Sequence, residues 1–191
     1  MNNLAIIFPG IGYTADKPLL YFSRRLAAAA GYDVLPLSYG GFPPKSIGDA
    51  DRMAESVRIA FEQTVELLSG IDLASRDRIL FIGKSIGTVI AARIASESPV
   101  RDRIRLVLYT PLEQTFSFAF GEAIVFTGTD DPWVGKSESR ISALCAGRGI
   151  PCRVIPDANH SLETKDPMND VAQLNEILNM TDAFIHGPVR S

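Results

Sequence analysis

Short, mostly apolar runs alternate along this chain with longer stretches in which apolar residues recur every three or four positions. A short run predicts a strand buried on both faces, and the longer spacing predicts a helix with one buried face. The runs predict strands over residues 4–8, 32–39, 79–82, 104–109, 123–126 and 152–155. The spaced pattern predicts helices over residues 18–30, 86–96, 137–146 and 168–185, and one more that Asp49 or Asp51 opens and Gly70 ends.

Capping residues and helix breakers refine two of these elements. Asp16 is expected to cap the first helix, with Pro18 in its first turn and Gly31 beyond its end. Because Pro36 has no backbone N–H, the second strand is expected at an edge of the sheet. The Gly- and Pro-rich residues 40–49 predict a loop.

The alternation of buried strands with helices predicts the fold class. Each pair of parallel strands needs a crossover, so we expect an α/β three-layer sandwich, with a mostly parallel sheet of about six strands and helices on both faces. Residues 1–191 are expected to form a single domain. In such sheets the chemistry lies beyond the carboxyl ends of the strands, where the strand order reverses.

Composition and charge restrict the classes of partner that the protein is expected to have. The chain is 46% hydrophobic and 21% charged, as in an ordinary soluble globular protein, and its net charge of -3 with scattered Lys and Arg predicts no nucleic-acid partner. No apolar run approaches the roughly 18 residues that span a bilayer, and no secretory signal is recognisable, so we expect no membrane association and a cytoplasmic location. Cys145 and Cys152 are expected to be small core residues.

The stretch Gly83-Lys84-Ser85-Ile86-Gly87 joins a predicted strand to a predicted helix. A phosphate-binding loop would need a glycine where Arg78 stands inside the strand, so that interpretation fails. The GxSxG pattern in this context is typical of a nucleophile elbow, where the glycines let the turn tighten around an exposed Ser85. A tight turn with a capping serine is the simpler alternative.

A serine nucleophile needs a base to take its proton and a third group to orient that base. The chain has two histidines. His160 follows the last predicted strand, at the functional edge of the sheet, whereas His186 lies where a helix ends and is expected to cap it. His160 is therefore the candidate base.

Acidic residues that could orient His160 follow the preceding strand. Asp130 and Asp131 are both placed for this role, the residues alone do not separate them, and one of the two is expected to open a turn before Pro132. Glu113 is a lower-ranked candidate. Asp157 is expected to be a turn residue.

An acyl-transfer site also needs N–H donors aimed at the developing oxyanion. The N–H of Ile86 is one candidate, and Ile11 offers a second because Gly10 and Gly12 let the backbone approach closely. Residues 10–15 also match a dinucleotide-binding turn, GxGxx(G/A), but the acidic residue expected about 20 positions later is missing.

Taken together, the "PGIG", "GKSIG" and "GTDDP" turns and the "NH" of "IPDANHSLE" resemble the α/β-hydrolase superfamily, over nearly the whole chain. The resemblance implies Ser85 as nucleophile, Asp131 as orienting acid, His160 as base, and the N–H groups of Ile11 and Ile86 as oxyanion donors. It also implies a strand order of second, first, third, fourth, fifth, sixth.

The chain departs from this family in three places. The family's N-terminal antiparallel hairpin is expected to be missing, and Phe8-Pro9-Gly10 stands where a His-Gly pair is common. Where the family often inserts a helical lid, between residues 109 and 123, only a minimal cap fits. A shallow, open site is therefore expected.

Four residues are candidates for binding substrate: Tyr13, Lys84, Phe116 and Phe118. Tyr13 and Lys84 flank the site and would favour an anionic or polar substrate, although a solvated surface role fits both as well. Phe116 and Phe118 are most simply packing residues; as substrate contacts they would form an apolar wall beside Ser85.

These features predict a small serine hydrolase that cleaves an ester, thioester or related acyl bond through a Ser-His-Asp triad and an acyl-enzyme. The expected partner is a small-molecule acyl substrate, no metal or organic cofactor is implied, and a homodimer is left open. Two alternatives stand beside this prediction: a noncatalytic ligand-binding or interaction module on the same fold, and an acyltransferase in which an alcohol or amine replaces water.

Overall fold

The computed structural model describes residues 2–44, 49–133 and 138–187, in which strands and helices alternate along the chain. The strands are β1 (Asn3–Phe8), β2 (Tyr32–Pro36), β3 (Ile79–Lys84), β4 (Ile104–Tyr109), β5 (Ala123–Gly128) and β6 (Cys152–Ile155). The helices are α1 (Pro18–Ala29), α2 (Ala50–Leu68), α3 (Ile86–Glu97), α4 (Glu138–Ala146) and α5 (Pro167–His186). Short 3-10 helices span Arg101–Arg103 and Glu113–Ser117.

All these strands run parallel in one sheet, in the order β2-β1-β3-β4-β5-β6. The expected fold class is confirmed, and the strand order is the one that the resemblance implied. From β1 the chain proceeds outwards to β2, and then crosses over to β3 on the other side of β1. The strand order therefore reverses beside β1 and β3, whose carboxyl ends lie next to each other.

Helices cover both faces of the sheet. One buried apolar cluster joins α1 and α5 to the sheet, and a second joins α2, α3 and α4 to the opposite face. Cys145 is buried in the second cluster, as expected, and Cys152 is partly buried and packs against it. Within the described ranges, no helix has the length and apolarity that crossing a bilayer requires.

The start of α1 differs from the prediction. Lys17 takes the N-cap position without a side-chain hydrogen bond, and Pro18 is the first helical residue. The Lys17 N–H donates to the Thr14 carbonyl at 3.1 Å, so a turn precedes the helix. Asp16 lies in that turn and pairs with Arg24 at 2.8 Å, and its predicted capping role is therefore wrong.

The second strand is shorter than predicted, although its edge position is correct. Leu37 still donates its N–H to the Ile7 carbonyl at 3.0 Å, but the chain leaves the sheet after that bond, so β2 ends at Pro36. Ser137, the predicted first residue of α4, and residues 45–48 of the predicted loop lie outside the described residues.

Candidate active site

A sharp turn places Ser85 between the end of β3 and the start of α3. Its backbone has a φ of 56° and a ψ of -123°, a strained conformation for a residue with a side chain. The Ser85 N–H donates to the Tyr109 carbonyl at 3.1 Å, and the Ser85 carbonyl accepts the Thr88 N–H at 2.9 Å. These bonds to β4 and α3 hold the strained turn in place.

The two glycines of the turn allow backbone segments to touch. A Cβ at Gly87 would lie 2.1 Å from the Phe8 carbonyl oxygen, so α3 begins directly against the end of β1. A Cβ at Gly83 would lie 2.9 Å from the Gly87 carbonyl oxygen. Both positions exclude a side chain, as a nucleophile elbow requires.

Three side chains from different strand ends form one hydrogen-bonded chain. His160 Nε2 lies 2.8 Å from Ser85 Oγ, and His160 Nδ1 lies 2.8 Å from Asp131 Oδ2. Because a carboxylate only accepts, Nδ1 carries the hydrogen, and Nε2 of the neutral ring accepts the Ser85 hydroxyl hydrogen. His186 ends α5 instead, where its Nδ1 lies 3.0 Å from the Asp182 carbonyl oxygen.

The turn after β5 directs Asp131, and not Asp130, towards His160. The Asp131 side chain is fully buried, and its Oδ1 accepts the Trp133 N–H at 2.9 Å. Asp130 stays at the surface, and its N–H donates to the Ala158 carbonyl at 3.0 Å. A Cβ at Gly128 would lie 2.1 Å from that same carbonyl oxygen, so this glycine lets the two loops meet.

Local hydrogen bonds shape the loop that carries His160. The Asn159 side chain accepts the N–H of Ser161 at 2.7 Å and of Glu163 at 3.2 Å. Asp157 has a φ of 57° and donates its N–H to the Thr129 hydroxyl at 2.7 Å, in keeping with its predicted place in a turn. The loop is thus tied both to itself and to the turn after β5.

Trp133 is a site residue that the sequence reasoning missed. Its ring centroid lies 5.5 Å from that of His160, on the same turn as Asp131. The sequence indicated it only through its position, because the single tryptophan of the chain stands two residues after the candidate acid Asp131.

Burial lowers the pKa of His160, although its hydrogen bond to Asp131 acts in the opposite direction. The charge of Lys84 adds a further, smaller lowering of the His160 pKa. The imidazole is therefore neutral at physiological pH, the form in which Nε2 can accept a proton.

The turn of residues 10–13 lies against the Ser85 elbow. Gly10 donates its N–H to the Tyr13 carbonyl at 3.0 Å, and Tyr13 donates to the Gly10 carbonyl at 3.3 Å. A Cβ at Gly10 would lie 3.1 Å from Ser85 Cβ, so the turn that contains Ile11 and the first residue of α3, Ile86, both adjoin Ser85. The oxyanion role of these two N–H groups stays a prediction.

Tyr13 and Lys84 are both buried, at 9% and 1% exposure. The interpretation of either as a solvated surface residue is therefore wrong. Lys84 points to the face of the sheet that α1 and α5 cover, because it follows Leu80 and Ile82 at alternate positions of β3.

The minimal cap after β4 places its aromatic residues in the core. Phe116 is 5% exposed and packs against Phe120, and Phe118 is partly buried against the same cluster. Their role in binding substrate stays a prediction. Glu113, the lower-ranked candidate for the acid that orients His160, pairs with Arg140 at 2.8 Å instead. The carboxylate hydrogen-bonded to His160 is that of Asp131.

A cleft of about 380 Å³ lies beside Gly10, on the turn that adjoins Ser85. The turn after β1 and the segment after β2 form its walls, which include Pro9, Gly10, Thr14, Leu37, Tyr39 and Phe42. Among the described residues, no three His, Cys, Asp or Glu side chains are grouped closely enough to hold a metal ion.

No protein-family model and no curated protein sequence matches this chain. Solved structures do. An α/β serine hydrolase homologue from Coxiella burnetii aligns at a TM-score of 0.62 with 18% identity, over 95% of this chain and 83% of that one. An esterase from Pyrococcus furiosus aligns at a TM-score of 0.62 with 16% identity, over 96% and 82%.

A third structure, from Xanthomonas campestris, is described as an α/β serine hydrolase without lid. It aligns at a TM-score of 0.56 with 14% identity, over 96% of this chain and 79% of that one. At these identities the likeness concerns the fold. The chain has the α/β-hydrolase fold, as its sequence motifs led us to expect.

Proposed function

We propose that this protein is a serine hydrolase that cleaves a small ester, thioester or related acyl bond. The observation that carries the proposal is the continuous hydrogen-bonded chain from Ser85 Oγ through His160 to Asp131, with both links at 2.8 Å. The fold supports a hydrolase as well, since similar solved structures include an esterase and serine hydrolases. Fold likeness alone does not assign an activity, so the proposal depends on the site.

In the first half of the proposed reaction, Ser85 Oγ attacks the carbonyl carbon of the acyl group. The hydroxyl proton moves to His160 Nε2, and Asp131 stabilises the imidazolium through its bond to Nδ1. The N–H groups of Ile11 and Ile86 would bind the oxyanion of the tetrahedral intermediate. His160 then gives its proton to the leaving group, and the acyl group remains on Ser85.

In the second half, water attacks the acyl-enzyme. His160 takes a proton from the water, the tetrahedral intermediate forms again at the same N–H groups, and the Ser85 oxygen leaves with the proton from His160. The products are a carboxylic acid and the free enzyme. The cleft of about 380 Å³ beside Gly10 is where part of a small substrate would lie.

Labelling with a fluorophosphonate probe tests this proposal, because the probe reacts with an activated serine and needs no knowledge of the substrate. Wild-type protein is expected to be labelled at Ser85. Ser85→Ala should abolish labelling, and His160→Ala should slow it by about 100-fold or more, since the base is lost. His186→Ala is the matched histidine control and should leave the rate unchanged.

Folded wild-type protein that the probe does not label would contradict the proposal and favour a noncatalytic binding module. Labelling that persists in Ser85→Ala would place the reactive group elsewhere. With labelling established, release of free acid from p-nitrophenyl butyrate separates a hydrolase from an acyltransferase that needs an alcohol or amine acceptor.

A further inference from the structure

Lys84, the residue before the proposed nucleophile, is buried at the top of the sheet with 1% of its surface exposed. A buried ammonium group destabilises the fold unless it interacts favourably with its surroundings, and lysine is almost never found fully buried without a partner. Lys84 lies on the same face of β3 as the buried Leu80 and Ile82, where an apolar residue is expected. The cation in this place therefore needs an explanation.

An aromatic ring lies next to the Lys84 ammonium. Its Nζ lies 5.0 Å from the centroid of the Tyr13 ring, within the range of a cation–π interaction. The Tyr13 hydroxyl accepts the Leu19 N–H at 3.1 Å. The tyrosine side chain is thus held at its face by Lys84 and at its tip by the first turn of α1.

Tyr13 is also the residue that closes the turn of residues 10–13. Its backbone exchanges hydrogen bonds with Gly10 at 3.0 and 3.3 Å, with Ile11 between them. A side chain that fixes Tyr13 therefore fixes the position of the Ile11 N–H relative to Ser85. Lys84 reaches this turn from the strand end that carries Ser85 itself.

Titratable groups from the loops at other strand ends interact electrostatically with the same ammonium. Asp131 and Glu163 attract it, and its charge disfavours the protonated form of His160. Tyr109 on β4 is the strand neighbour of Lys84. Burial raises the pKa of Tyr13 to about 12, so the Tyr13 phenol stays neutral. Burial lowers the pKa of Lys84 to about 7, while the two carboxylates oppose that change.

We propose that Lys84 is a positioning residue of the site, which holds the turn of residues 10–13 through Tyr13 and acts electrostatically on His160. This inference rests on the proposed serine hydrolase. It replaces direct substrate binding as the role of Lys84, because the side chain points into the core below Ser85. Lys84 acts through its neighbours, as an ammonium below about pH 7 and as an amine packed on the Tyr13 ring above it, and takes no part in bond making.

The test compares Lys84→Met with Lys17→Met, which removes the same charge from an exposed position at the start of α1. The rate constant for fluorophosphonate labelling of Ser85 is measured from pH 5 to 9. In Lys84→Met we expect the rate at its plateau to fall about 10-fold, because the turn is no longer held. The acid limb should move to higher pH by about half a unit or more, because a positive charge near His160 is lost.

Lys17→Met should change neither quantity, since an exposed charge is screened by solvent and salt. A Lys84→Met protein that folds normally and keeps both the plateau and the acid limb of the wild type overturns the inference, while the proposed function stands. Failure to label the wild type overturns the proposed function instead. The two failures are therefore distinct.

Tyr13 provides a second test, and its single variants do not depend on whether Lys84→Met folds. Tyr13→Phe keeps the ring and should lower the plateau rate less than Tyr13→Leu, which removes it. In the double variant with Tyr13→Leu, Lys84→Met should add little to the loss of plateau rate, because both changes break the same contact. Equal rates for Tyr13→Leu and the wild type would contradict the inference.

Discussion

At the scale of single residues, the site depends on which of two adjacent aspartates faces His160. Asp131 is buried and bonded to both the imidazole and the Trp133 N–H, whereas Asp130 is exposed on the same turn. The two residues are adjacent in the chain, but one side chain is buried and the other is exposed to solvent. They therefore offer a matched pair of substitutions.

Asp131→Asn is expected to slow labelling and hydrolysis by about 10³-fold or more, because an amide does not hold the Nδ1–H tautomer or stabilise the imidazolium. Asp130→Asn should stay within about twofold of the wild type, since an exposed charge has little effect at a distance. The measurement is the labelling rate constant of each variant at pH 7.5. Equal losses in both variants would show that Asp131 has no special role.

The choice between these aspartates also marks a limit of the sequence. Both follow β5 directly, and the spacing of residues does not say which side chain the turn directs inwards. That direction is set by two contacts. The hydrogen bond from the Trp133 N–H depends on the backbone angles of the turn, and the contact of Gly128 with Ala158 brings in a segment that is distant along the chain. The resemblance selected Asp131, and the hydrogen bond to His160 lies at that residue.

At the scale of elements, the apolar pattern was sufficient to predict the sheet. Strands that are buried on both faces appear as short apolar runs, so β1, β3 and β5 were recognisable without neighbours, and in β4 only Arg105 interrupts the run. Boundaries that depend on side-chain partners were less predictable. Asp16 pairs with Arg24, eight positions away, instead of capping α1.

Lys84 shows the same limit at the end of β3. Alternation along the strand places it on the face of Leu80 and Ile82, whereas from the sequence a substrate contact and a solvated surface position were both open for it. The Lys84 side chain is packed against Tyr13, which lies in the turn after β1, 71 positions earlier in the chain. Only the assembled fold brings the two together.

The contact between α3 and β1 leads to a prediction about stability. Gly87→Ala would place a Cβ 2.1 Å from the Phe8 carbonyl oxygen, and neither backbone segment can move without disturbing the sheet. We expect the free energy of unfolding to fall by about 3 kcal/mol or more. Urea denaturation followed by circular dichroism measures this change.

Gly70→Ala is the control for that substitution. A Cβ at Gly70 meets nothing within 4 Å, so the change in stability should be within about 0.5 kcal/mol of zero. A Gly87→Ala protein as stable as Gly70→Ala would mean that α3 does not pack against β1 as described.

At the scale of the whole molecule, a further set of contacts that stabilises the fold lies at the end of the sheet opposite the candidate site. The site lies at the carboxyl ends of the strands, whereas Arg105 lies near the amino end of β4 and ties the end of α5 to the sheet. Arg105 is 3% exposed, pairs with Glu122 at 2.9 Å, and donates to the Gly187 carbonyl at 3.1 Å. Its guanidinium also lies over the Phe184 ring at 4.2 Å.

Arg105→Met is expected to lower the free energy of unfolding by about 2 kcal/mol, because it removes the buried partner of a partly buried ion pair and leaves a carboxylate and a carbonyl with fewer donors. Arg101→Met, which breaks an exposed pair with Asp102, should cost less than about 1 kcal/mol. Urea denaturation measures both. The labelling rate of folded Arg105→Met at 20 °C should equal that of the wild type, because Ser85 and His160 keep their positions at the other edge. A loss of labelling in protein that remains folded would mean that the end of α5 supports the site as well as the fold.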